Sequence, residues 1–132
     1  MSQENVEIMR RSIDAWNRGD HAEALAYYAP EVEWHTSGEF ADRGVYRGHA
    51  GIERLWTELQ EDMEELSLSL SDIRVVGDRM FAAATVRGRG KQSKAGFEQP
   101  FWYAVTFRDG LIVRVEAHVD PTQALEAAGL SE

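Results

Sequence analysis

From Leu66 almost to the C-terminus the apolar side chains of this chain recur at every second position, whereas before Leu66 they recur at spacings of three and four. A period of two sends alternate side chains to opposite faces of a strand, and a period near 3.6 gathers them on one stripe of a helix. The switch divides the chain into a mainly helical first half and a sheet-forming second half. Leu66, Leu68 and Leu70 alternate with serines, and Gly77-Asp78 and Asp109-Gly110 each stand between apolar runs. Both residues of Asp109-Gly110 tolerate positive φ, which marks a tight hairpin. The longer segment from Gly88 to Gly96 separates two further runs. Four strands are predicted, roughly 66–76, 79–89, 97–108 and 111–119, joined as an antiparallel meander.

In the first half, Val6, Met9, Ile13 and Trp16 form one apolar stripe with charged residues between them, and Gly19 ends that helix. Asp20 with Glu23 makes a capping box for a short second helix carrying Ala22, Leu25 and Tyr28, which stops before Pro30. Val32 to Thr36 alternates and reads as a first short strand, available to pair at a sheet edge. Ser37 to Gly48 reads as an irregular loop, with Asp42, Arg43, Tyr46, Arg47 and His49 in or beside it. Ile52, Leu55, Trp56, Leu59 and Met63 mark a third helix. Its acidic end, Glu61 to Glu65, opposes the helix dipole and is expected to fray. Asp120-Pro121-Thr122-Gln123 supplies an N-cap, a proline at the first helical position and a glutamine after it, opening a last helix that closes at Gly129.

Composition removes several classes of function. The 132 residues contain 14 Lys plus Arg against 23 Asp plus Glu, a formal charge of −9. That excess works against the counterion release that drives nucleic-acid binding and against anionic lipid surfaces. The absence of cysteine excludes disulfides, thiolate metal sites and cysteine nucleophiles. The N-terminus lacks the apolar core of a signal peptide and no apolar run is long enough to span a bilayer, so a cytoplasmic location is expected. Phosphate-binding glycine loops, the serine-hydrolase elbow and the H-E-x-x-H zinc motif are all missing, and His21, His35, His49 and His118 form no pair one helical turn apart. No cofactor and no metal is expected.

One α+β domain over residues 1–132 follows, with helices packed on one face of a strongly curved, mostly antiparallel sheet in the order α-α-β-α-β-β-β-β-α, a cone-shaped roll. The words W-N-R-G-D at 16–20, Y-R-G-H-A-G-I-E-R-L-W at 46–56 and D-P-T-Q-A-L-E-A-A-G-L at 120–130 fall in that order, and with them the chain resembles a SnoaL-like member of the nuclear transport factor 2-like superfamily. The resemblance implies a ligand cavity inside the cone and a homodimer formed through the outer sheet face.

Alternation proposes what lines the cone. Val32, Trp34 and Thr36 share one face, as do Ala82, Ala84, Val86 and Gly88, then Phe101, Tyr103, Val105 and Phe107, and finally Val115, Ala117 and Val119. With Trp56, the expected ligand-binding set is Trp34, Thr36, Trp56, Ala84, Val86, Phe101, Val115 and Ala117, an apolar surface suited to a small, largely apolar organic molecule. Similarity to ketosteroid isomerases carries their helix tyrosine onto Ser12, their carboxylate base onto Thr36 or, with a gap, His35, and their protonated aspartate onto Tyr103. None of the three is kept, which argues against that mechanism here. His35 is the candidate base, Tyr103 the candidate hydrogen-bond donor, and Asp120, by likeness to SnoaL cyclases, a further acid/base candidate. Helix capping explains Asp120 equally, an outward strand position explains His35, and His118 on the outer face fits a dimer contact. Three readings stand: a cofactor-independent isomerase, cyclase or hydratase; a non-catalytic binding module; and a dimerising protein-interaction domain.

Overall fold

A computed structural model describes residues 2–36 and 44–130. The elements run α1 (Ser2–Asn17), α2 (His21–Leu25), β1 (Tyr28–Thr36), β2 (Gly44–Arg47), α3 (Gly48–Asp62), β3 (Met63–Val76), β4 (Arg79–Gly90), β5 (Gly96–Arg108), β6 (Leu111–His118) and α4 (Pro121–Ala127). Six strands form one sheet in the order β2-β1-β6-β5-β4-β3. The meander β3 to β6 is antiparallel throughout, and β1 joins it by parallel pairing with β6.

The predicted alternation decides which side of the sheet meets the helices. Ala82, Ala84, Phe101, Tyr103, Val105, Phe107 and Val115 are buried in one core with Met9 and Ile13 of α1 and Ile52, Leu55 and Trp56 of α3. Two bulges in β3 keep its apolar residues on that side. The register slips between Ser71 and Arg74, with Asp72 at φ 48°, so the inward set changes from Leu68 and Leu70 to Ile73 and Val75. A second slip between Glu64 and Ser67, with Glu65 at φ 57°, does the same beside Met63. Such bulges strengthen local twist and help to curl the sheet.

Several expectations are corrected. β1 is interior, flanked by β2 and β6, and β2 is the edge. β2 occupies part of the expected loop: Tyr46 pairs with Trp34 and is buried, its hydroxyl donating to Glu58 at 2.6 Å. The expected loop residues Ser37, Asp42 and Arg43 lie outside the described residues. Met63 is the first strand residue and not the last of the third helix, so Glu64 and Glu65 leave the unfavourable helix end and pair with Lys94 and Arg89. The helices do not share one face. Ala124 and Leu125 of α4, with Ala128, pack on Phe81 and Ala104 on the other side of the sheet. β4 and β5 are therefore covered on both faces. Among the described residues no helix is long and apolar enough to cross a membrane.

Candidate functional site

α1 and α3 do not fill the concave side of the sheet. Between them and the strands lies a cavity lined from α1 by Met9, Ser12, Ile13 and Trp16, from α3 by Leu55, Trp56 and Leu59, and from the sheet chiefly by Tyr28, Trp34, Thr36, Val86, Phe101, Tyr103 and Ala117. The spacing of Met9, Ser12, Ile13 and Trp16 is that of one helical face, so the stripe that anchors α1 also supplies one wall. The cavity has a volume of about 90 Å³. That lies below the roughly 300–1,000 Å³ usual for pockets that take drug-sized ligands.

Its walls are aromatic. Tyr103 stacks on Phe101 with centroids 6.3 Å apart and meets Trp34 edge-on at 5.8 Å. Tyr28 meets Trp56 edge-on at 6.1 Å. Polar groups enter at few points. Ser12 is 2% exposed, and its hydroxyl donates to the Ala24 carbonyl at 3.0 Å, tying α1 to α2. Burial pushes the Tyr28 phenol well above its ordinary range, with the neighbouring Ser12 hydroxyl pulling partly back. Burial raises the Tyr103 phenol likewise, and the nearby Tyr28 adds to the shift. Desolvation disfavours the phenolate, so both groups stay protonated and present O–H donors at neutral pH.

Three positions carried over from ketosteroid isomerases, Ser12, Thr36 and Tyr103, all line this cavity. Each bears a hydroxyl, and among the described residues the lining holds no carboxylate, imidazole or amine. Of the expected ligand-binding set, Trp34, Thr36, Trp56, Val86, Phe101 and Ala117 line the cavity. Ala84 and Val115 do not; both are buried in the surrounding core, packed beneath the wall. Met9, Ile13 and Leu59, from the helical stripes, and Leu66 and Leu68, from the alternation of the first meander strand, also line the cavity with Met63, and none of them was in the expected ligand-binding set.

The three candidate catalytic residues are not brought together. His35 points away from the cavity wall formed by Trp34 and Thr36, as the phase of β1 requires, and its Nε2 lies 3.0 Å from Glu33 Oε1. Glu33 in turn faces Arg47 at 3.6 Å and Arg114 at 3.7 Å. The His35 hydrogen bond, with the two arginines, holds the Glu33 carboxyl below its usual range. Arg114 donates to Glu116 at 2.9 Å, and His118 Nε2 lies 3.3 Å from the other Glu116 oxygen. His35 and His118 thus belong to one charged strip on the outer face of β1 and β6. Asp120 is exposed and caps α4, accepting from the Thr122 amide at 2.9 Å. Among the described residues no group of three or more His, Asp or Glu side chains could hold a metal ion.

A family model for the SnoaL-like domain matches residues 9–115. Uncharacterized protein Rv0034 of Mycobacterium tuberculosis is 28% identical over 119 residues, 89% of this chain and 90% of that one. The crystal structure of an NTF2-like protein of unknown function from Burkholderia pseudomallei superposes with a TM-score of 0.80 at 22% identity, covering 95% of this chain and 97% of the other. TerC, co-crystallized with polyporic acid, superposes with a TM-score of 0.80 at 23% identity, covering 96% and 98%. At these identities the two structures speak to fold alone. The family match begins at Met9, where the cavity wall begins, and takes in every lining residue except Ala117. On that match the chain belongs to the SnoaL-like domain family, built on the NTF2-like α+β fold.

Proposed function

We propose that this protein binds a small, largely apolar organic molecule in the cavity between the sheet and helices α1 and α3. The observation that carries the reading is the lining itself: an aromatic enclosure with protonated phenols at Tyr28 and Tyr103 and no titrating base among the described residues. Buried neutral donors bind and orient an oxygen without drawing in an ionic group. Tyr103, which the ketosteroid isomerase comparison matched to a hydrogen-bond donor, is the residue best placed to polarise a carbonyl. The described walls supply donors for such a step, not a proton acceptor, so ligand binding and orientation is the function that the geometry supports best. The similarly folded TerC, co-crystallized with polyporic acid, is in keeping with an organic molecule in a fold of this kind.

Titration with the neutral fluorophore N-phenyl-1-naphthylamine tests the reading. Saturable one-to-one binding is expected in the wild type, and Ala117→Phe, which pushes a ring into the cavity, should weaken it at least tenfold while leaving the circular dichroism spectrum unchanged. Equal affinity in a folded Ala117→Phe variant would overturn the site assignment.

A further inference from the structure

Ser12, Tyr28, Thr36 and Tyr103 each bring a hydroxyl to the cavity wall, and their surroundings leave these hydroxyls in different states. Ser12 spends its proton on the Ala24 carbonyl. Thr36 is tied to β2, its oxygen accepting from the Gly44 N–H at 3.2 Å. The Tyr28 phenol has the Ser12 hydroxyl beside it. Among the described residues the Tyr103 hydroxyl alone of the four has no partner.

Whether such a donor matters to a ligand depends on whether it can be touched. The indole Nε1 of Trp16 also lacks a partner, but it is sealed in the packing, the one such side-chain atom among the described residues, and a molecule in the cavity does not reach it. The Tyr103 oxygen is unpartnered without being sealed. Tyr103 is 5% exposed and stands on the inward face of β5, where the open space is the cavity. Its neighbours across the sheet are Ala82 on β4 and Ala117 on β6, side chains too small to cover the phenol. Phe101 and Trp34 hold the ring, so the donor is pre-organised and its proton turns to meet an acceptor. Water can satisfy it while the cavity is free, and a ligand that displaces the water must return the hydrogen bond or lose affinity. A second polar atom deep in the ligand would find its counterparts already committed, and an anion would find no cation in the described lining.

We propose that Tyr103 sets the specificity of the cavity: it selects a neutral molecule that carries one acceptor oxygen, a ketone above all, on an otherwise apolar frame, with that oxygen docked on the Tyr103 hydroxyl beside Ala117. The inference rests on the reading that the cavity takes an apolar organic molecule, and adds the number, the charge and the place of the ligand's polar atoms.

Acetophenone and α-methylstyrene share one shape and differ in a C=O against a C=CH2, and benzoate supplies the anion. Equilibrium dialysis against the wild type and Tyr103→Phe should show the ketone weakened about tenfold by the substitution, the size expected for one hydrogen bond, and the alkene changed less than twofold. Benzoate at pH 7 should bind the wild type at least tenfold more weakly than the ketone. An unchanged ketone affinity in the variant, equal weakening of ketone and alkene, or benzoate binding as well as the ketone would each overturn the inference. A spectrum of the wild type is independent of the variant's folding: the infrared carbonyl stretch of bound, carbonyl-13C acetophenone should lie below its value in cyclohexane, and a stretch at the cyclohexane value overturns the inference. If the wild type binds neither acetophenone nor α-methylstyrene, the cavity reading falls and takes the inference with it; binding of both without any effect of Tyr103→Phe overturns the inference alone.

Discussion

The two buried phenols give the fold an alkaline weakness whose size can be worked out. Tyr28 and Tyr103 have their ionisation pushed up by burial, whereas in the unfolded chain both titrate near the ordinary value of about 10. Below about pH 10 folded and unfolded states bind these protons equally, and the pair has no effect on the balance. Above it the unfolded chain releases them while the fold retains them, so stability falls as pH rises, by about 1.4 kcal/mol per pH unit for each tyrosine. Two units above the unfolded value, the pair removes roughly 5 kcal/mol, comparable with the whole stability of many domains of this size. Tyr28 adds to the shift of Tyr103 by disfavouring a second charge beside it. Urea unfolding followed by tryptophan emission at intervals from pH 8 to 12 measures the slope, and Tyr103→Phe provides the difference measurement that cancels the titration of lysines. The variant should lose about 1.4 kcal/mol per pH unit less than the wild type above pH 10 and match it within about 1 kcal/mol at pH 7. Identical slopes in the two proteins, or tyrosinate absorbance from all four tyrosines rising together near pH 10 in the folded state, would refute the burial of the phenols.

Two further substitutions test how the cavity is framed. At Gly51, buried on α3, an added Cβ would lie 3.0 Å from the Tyr46 carbonyl carbon of β2, a backbone atom that cannot swing aside. Gly51→Ala should therefore destabilise by about 1–3 kcal/mol in urea unfolding despite alanine's better helix propensity; a stabilised variant would show that α3 is free to move off the strand. Asp120→Ala removes the cap of α4 and should cost about 1 kcal/mol, while affinity for N-phenyl-1-naphthylamine stays unchanged. Lost affinity in that variant would return Asp120 to the site.

The periodicities made the architecture legible because they record which face of each element is buried. Leu66 to Leu70 and then Ile73 and Val75 even carry the trace of the bulge, since the apolar residues move from even to odd numbers at Asp72. β2 escaped notice because four residues give alternation too little length to stand out. Met63 falls one helical turn after Leu59, so spacing alone assigns it to the helix; the acidic run around it was the better guide to where the helix stops. The outward position of α4 also had a signal. Phe81, Trp102 and Ala104 are apolar at the parity opposite the cavity wall, and strands apolar at both parities need cover on both faces. Strand alternation put Trp34, Thr36, Phe101, Tyr103 and Ala117 on the face that lines the cavity and His35, the candidate base, in the opposite phase, where it lies. Ala84 and Val115 share the inward phase yet sit behind the lining, because phase gives direction and not depth. That the buried indole Nε1 of Trp16 has no hydrogen-bond partner among the described residues depends on the packing of elements distant in sequence, which no local pattern encodes.

The cover that α4 gives the outer face is small: seven residues, with Ala124 and Leu125 as its buried side chains. A helix that short is not stable alone, so its amides are protected only while it stays seated on Phe81 and Ala104. Lifting it off leaves every strand pairing of the sheet intact, which makes it a separate opening unit with a free-energy gap well below that of global unfolding. In deuterium exchange the amides of Ala128, Gly129 and Leu130, which hydrogen-bond back into this helix, should be replaced long before those of β5. Wherever α4 lifts off, the cavity side is undisturbed and an apolar strip of the central strands meets solvent, the state from which self-association of a destabilised variant would begin.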